Sequence, residues 1–164
     1  MPQATRRTVL QAATWTPPVV ALTSAAPAFA VSGSAGVTFV PGASSVVTDG
    51  EFFGVQFKGA SLVVGSDAVV APTGVTLAVT FVPVSGGDKL YSDLTAPASW
   101  TVVPRGTTGR NVVTFRHGNV TASGASIPLS NGIYFGTDDV DQRGTFVLAF
   151  TVGALVAHWS AATP

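Results

Sequence analysis

The 164-residue chain contains no cysteine, which excludes disulfides, thiolate metal sites, cysteine nucleophiles and lipid attachment to an N-terminal cysteine. Export is not excluded with them, because a chain longer than about 100 residues can build a sufficient core without covalent staples. Charge is scarce as well. Charged residues make up 10% of the chain, against roughly 25% in an average soluble domain. Only two histidines are present, His117 and His158, and without cysteine they argue against a transition-metal site. Setting Arg6 and Arg7 aside leaves 6 basic against 8 acidic residues; no basic stripe remains, and nucleic acid is not an expected partner. Downstream of the N-terminal segment, Thr, Ser and Gly interrupt every apolar run before it reaches the roughly 20 residues of a spanning helix. No Gly-x-Ser-x-Gly elbow, His-Glu-x-x-His motif, phosphate loop or internal repeat occurs.

What is present begins with an N-terminal address. Arg6 and Arg7 open it, a mildly apolar stretch covers 9–22, and Ala28-Phe29-Ala30 closes it with the small-x-small pattern read by signal peptidase. No Asp, Glu, Lys or Arg occurs from Thr8 to Thr48. Thr14, Thr16 and Thr23 dilute the apolar stretch, and Pro17-Pro18 interrupts it, which disfavours both a permanent anchor and a buried amphipathic helix. Thr5-Arg6-Arg7-Thr8-Val9-Leu10 resembles the twin-arginine (Tat) export motif, with Val9 where Phe is more usual and Gln11 where Lys is frequent. Together with Trp15-Thr16-Pro17-Pro18-Val19-Val20 it is similar to the leaders of small actinobacterial exported proteins. The resemblance implies export motif residues Arg6, Arg7, Val9 and Leu10, peptidase recognition at Ala28 and Ala30, and cargo that folds before it crosses.

The expected domains are therefore a signal peptide at 1–30 and one mature domain at 31–164. In the mature part the dominant period is two. Val75, Leu77, Val79 and Phe81 alternate with small or hydroxylated residues, and Phe146, Leu148, Phe150 and Val152 form the inward face of the run from Thr145 to Val152. Val113 and Phe115 face inward more weakly against outward Thr114 and Arg116. Such alternation between turn residues predicts half-buried antiparallel strands. Further strands are expected at 37–40, 52–58, 61–64, 100–103, 133–135 and 155–159. Pro41-Gly42, Asp49-Gly50, Ser85-Gly86-Gly87-Asp88, Pro104-Arg105-Gly106 and Ser130-Asn131-Gly132 punctuate them. No helical period is sustained. The fold expected is an all-β, antiparallel two-sheet sandwich of immunoglobulin-like type, with a jelly roll or small barrel as the fallback. Phe39, Phe53, Phe57, Phe81, Trp100, Phe115, Phe146 and Phe150 are the expected core aromatics.

A second resemblance covers roughly the last 55 residues. Ser99-Trp100-Thr101-Val102-Val103, Asn111-Val112-Val113-Thr114-Phe115, Gly124-Ala125-Ser126-Ile127-Pro128-Leu129 and the closing strand from Phe146 to Val152 resemble bacterial surface immunoglobulin-like repeats. Ser99 before the Trp and a longer insertion before the last strand depart from that pattern. Repeats of this kind are spacers and display modules, so the resemblance implies no active site.

Three constellations bear on chemistry. Asp138, Asp139 and Asp141 are the loose calcium candidate, because Asp139-x-Asp141-x-Arg143-Gly144 begins like a calcium loop. Arg143 stands at the third ligand position and Phe150 where a bidentate Glu is required, so the competing reading is a solvated connection. Tyr91, Tyr134 and Trp159 are candidates for a sugar-stacking platform, against the reading that scattered aromatics need no functional explanation. His117 and His158 are the histidines a hydrolytic site would need. The expectation is an exported, non-enzymatic protein with a structural or adhesive role, secreted or cell-wall associated. A carbohydrate-binding module is the alternative and a secreted hydrolase the third reading. No catalytic residue and no cofactor are expected. Expected partners are the Tat translocase and signal peptidase during export, then a wall or surface protein or a glycan, with no stable membrane insertion after cleavage.

Overall fold

The computed structural model describes residues 30–33, 36–66, 73–91, 95–103, 111–120 and 123–164. Among them there is no helix, and thirteen strands form three antiparallel sheets. In chain order these are β1 (Ala30–Gly33), β2 (Val37–Val40), β3 (Ser45–Asp49), β4 (Phe52–Phe57), β5 (Ala60–Val64), β6 (Thr73–Ser85) and β7 (Leu90–Tyr91). They continue as β8 (Trp100–Val102), β9 (Val112–Val120), β10 (Ser126–Leu129), β11 (Gly132–Thr137), β12 (Arg143–Val152) and β13 (Leu155–Ala162).

The largest sheet has the order β1-β13-β12-β6-β9-β8. Its centre follows directly from the alternating sequence. β12 pairs with β6 from Arg143 opposite Ser85 to Val152 opposite Val75, and with β13 from Thr145 opposite Ala162 to Val152 opposite Leu155. Because side chains alternate along a strand, this register lines Val75, Leu77, Val79 and Phe81 up beside Phe146, Leu148, Phe150 and Val152. All eight are buried. Thr76, Ala78 and Thr80 on β6 and Thr145, Ala149 and Thr151 on β12 take the half-buried outer face.

The other two sheets, β10-β5-β2 and β3-β4-β11-β7, are two halves of one bent surface. Val37 faces Val64 and Val40 faces Ser61 before the bend. Ser45 faces Gln56 and Asp49 faces Phe52 after it. The offset is the same on both sides, so β2–β3 and β4–β5 form a single long hairpin closed by Gly50-Glu51. The third strand bends with it, since Leu129 faces Ala60 and Gly132 faces Phe57. At the corner Gly42 has φ +60°, and a Cβ there would stand 2.4 Å from the Lys58 carbonyl oxygen. Only glycine meets both demands. Three hydrogen bonds satisfy the turned backbone. Ala43 N donates to Lys58 O at 2.9 Å, Lys58 N to the buried Ser44 Oγ at 3.0 Å, and Gly59 N to Asn131 Oδ1 at 2.9 Å.

The bent surface packs on the six-stranded sheet through aromatic rings. Phe39 of β2 stacks on Phe150 of β12 at 4.5 Å between centroids and meets Trp159 of β13 edge-on at 5.8 Å. Phe135 of β11 lies 5.9 Å from Phe146 and 6.0 Å from both Phe57 and Phe115. The eight expected core aromatics are all buried. The strands expected at 37–40, 100–103 and 155–159 appear at or within three residues of those bounds. The sequence reading did not contain β1, β3, β7 and β10. Pro104-Arg105-Gly106 lies outside the described residues.

Candidate functional site

Arg6, Arg7, Val9, Leu10 and Ala28 lie outside the described residues. Ala30 is the first residue of β1, where it pairs with Ser160; Val31 pairs with Trp159 and Ser32 with His158. The small-x-small pattern thus ends on the first paired residue of an edge strand.

The acidic connection between β11 and β12 is a turn built from its own hydrogen bonds. Asp141 N donates to Asp139 Oδ1 at 2.5 Å, and Arg143 N donates to Asp141 O at 3.0 Å. Thr137 Oγ1 donates to Asp139 O at 2.8 Å while accepting from Phe53 N at 2.9 Å, which ties the turn to β4. Asp138 faces outward and approaches Lys89 Nζ at 3.6 Å. Arg143 sits over the Phe53 ring, 4.6 Å from its centroid, and donates to Pro164 O. Among the described residues no group of three or more His, Asp or Glu side chains converges as a metal site. Of Asp138, Asp139 and Asp141, the calcium candidates, Asp139 caps a backbone amide and Asp138 pairs with a lysine.

The histidines are also apart. His117 of β9 packs on the buried Trp100 at 5.2 Å between ring centroids. His158 of β13 is exposed on the outer face, beside the inward Trp159. Two strands, β12 and β6, separate β13 from β9, so the two strands carrying histidine are roughly 14 Å apart at ordinary strand spacing.

The proposed aromatic platform divides. Trp159 has 0% relative exposure and belongs to the core with Phe39. It cannot meet a sugar at the surface, and that part of the sequence expectation is overturned. Its burial was legible in the period of two, since Ala157, Trp159 and Ala161 share one face of β13. Tyr91 and Tyr134, by contrast, come together at one half-open pocket of about 70 Å³.

That pocket is assembled from distant positions. The end of the β3–β4 hairpin supplies Asp49 and Phe52, β7 supplies Tyr91, and β11 supplies Tyr134 and Gly136. The β11–β4 register shifts between Ile133 and Gly136, a bulge that re-aims the intervening side chains. Phe52 lies across the gap left by glycine, since a Cβ on Gly136 would be 2.5 Å from Phe52 Cδ2. Tyr134 is fixed by its hydroxyl, which donates toward Ser130 O and Asn131 O at 3.2 Å and contacts Ser130 Oγ at 2.6 Å. Ser130 Oγ in turn accepts from Ala98 N at 2.9 Å. The Tyr134 ring stacks on Phe57 at 6.3 Å. Tyr91 is 45% exposed at the mouth.

Sequence reasoning missed Asp49, Phe52 and Gly136 as members of this pocket. The available signal was glycine inside a strand pattern at Gly54 and Gly136, a mark of close approach. No helix among the described residues is long and apolar enough to cross a membrane. No protein-family model, no curated protein and no solved structure matches the chain.

Proposed function

We propose that the chain is a Tat-exported protein, cleaved after Ala30, whose mature domain is an immunoglobulin-like sandwich with a structural or adhesive role at or beyond the cell surface. The observation that carries this reading is the position of β1. A cut after Ala30 leaves residues 31–33 to pair with Trp159, His158 and Ala157, and removes no residue of the other twelve strands. Peptidase reads its substrate as an extended, accessible segment. Ala30 itself pairs with Ser160, so the cut removes one residue of β1.

Two further features support the reading. Tyr134 bonds back to the backbone three and four residues upstream, as the tyrosine corner of immunoglobulin-like sandwiches does. The outer face of the six-stranded sheet offers Thr76, Thr80, Thr145 and Thr151 with little charge, a surface suited to contact rather than chemistry. Changing Arg6 and Arg7 together to Lys should stop export, and the mass of the exported protein should correspond to Val31 at its N-terminus. Unchanged secretion of the double variant, or a membrane-retained product beginning at Met1, would refute it.

The carbohydrate-binding reading is favoured by one observation, the shared pocket of Tyr91 and Tyr134. Its test is polysaccharide pull-down that is lost on Tyr91→Ala. Trp159→Ala does not test it, because that variant opens the core.

A further inference from the structure

We propose that the pocket between the β3–β4 hairpin, β7 and β11 binds an organic ammonium group. The inference goes beyond the proposed role and rests on the pocket alone, whether or not the chain is exported.

Size comes first. A cavity of about 70 Å³ has room for roughly two water-sized groups, far below the roughly 300 Å³ at which pockets enclose whole small molecules. It takes the terminal group of a longer ligand. Charge comes second. Among the described residues Asp49 is the one carboxylate of the lining and no Lys or Arg lines it, and Glu51 follows two residues on in the same hairpin turn. Surface chemistry comes third. Phe52, Tyr91 and Tyr134 border the space, and aromatic rings attract cations through their negative faces.

Hydrogen bonding separates this ligand from a sugar. The Tyr134 hydroxyl is already engaged with Ser130 and Asn131. It holds the ring in place and has little left to offer a polyol. An alkylated ammonium needs no such bond; it needs fixed rings and a nearby anion. The bonds from its hydroxyl fix the Tyr134 ring, so that side chain loses little freedom on binding.

The test is titration of the full ¹⁵N-labelled chain with choline chloride, followed by the amide shifts of Asp49, Phe52, Tyr91 and Gly136. Saturable shifts in the millimolar range are expected, with 3,3-dimethyl-1-butanol, the uncharged analogue, about tenfold weaker. Asp49→Asn should weaken choline roughly three- to fivefold, and Tyr91→Ala should weaken it without unfolding the protein, because Tyr91 is half exposed. Nα-acetyllysine is run in parallel. Tighter choline binding identifies a methylated head group, and tighter acetyllysine binding a lysine side chain of a partner; either supports the proposal. Shifts still linear at about 0.1 M choline, beyond the millimolar affinities that such contacts provide, would overturn it. So would equal binding of the uncharged analogue, or saturation by methyl glucoside with none by choline.

Discussion

The two layers of the sandwich are built on different principles. The six-stranded sheet has long strands at its centre, β6 of 13 residues and β12 of 10, with a buried pattern that alternates without interruption along β12. The facing layer uses strands of two to six residues, a glycine corner and a bulge. Regular alternation gives one layer its packing. Irregularity gives the other its shape, because a corner and a bulge can aim Tyr134 and let the Phe52 ring lie over Gly136 where a flat sheet could not. Scaffold and site are thereby divided between layers.

Five substitutions probe that division, in order of expected effect. Phe150→Ala removes the ring stacked on Phe39 and edge-on to Trp100 at 6.5 Å; it should cost about 3–5 kcal/mol in urea unfolding. A loss below about 1 kcal/mol would mean that the long sheet is not the scaffold. Gly42→Ala places a Cβ against the Lys58 and Gly59 carbonyls in a left-handed backbone, and should cost about 2–3 kcal/mol. A neutral result would show that the two halves of the bent layer are not locked at that corner.

Tyr134→Phe removes the hydroxyl bonded to Ser130 and Asn131. About 1–2 kcal/mol should be lost, with amide shift changes concentrated at Tyr91 and Gly136 rather than on β12. Changes spread equally over β12 would contradict a site confined to the bent layer. Lys89→Ala and Asp138→Ala break a half-exposed ion pair and should each cost less than about 0.5 kcal/mol by thermal unfolding.

The same contrast explains what was legible in the sequence. Val75 to Phe81 and Phe146 to Val152 disclosed their strands because one face is wholly buried and large while the other is only half-buried and mostly small or hydroxylated. β3 gave no such signal. Its Ser45, Val46 and Val47 are all half-buried and Thr48 and Asp49 exposed, so burial does not alternate. β10 carries Pro128, tolerated because β10 lies at a sheet edge, and β7 is only two residues long. The pocket was less legible still. Asp49, Tyr91 and Tyr134 are far apart in the chain, and only the hairpin offset and the β11 pairings with β4 and β7 bring them together. Trp159 illustrates the opposite error: its neighbours on the same face, Ala157 and Ala161, are small, so the inward stripe of β13 was easy to overlook.

Native-state hydrogen exchange tests the division of labour most directly, since it reads the opening free energy of each amide. Amides of Phe146, Val147, Leu148 and Phe150, paired on both sides by β6 and β13, should exchange only through global unfolding. Those of Tyr91 and Gly136 should open at distinctly lower free energy. Equal protection in the two sets, or earlier exchange on β12 than on β7 and β11, would contradict the account.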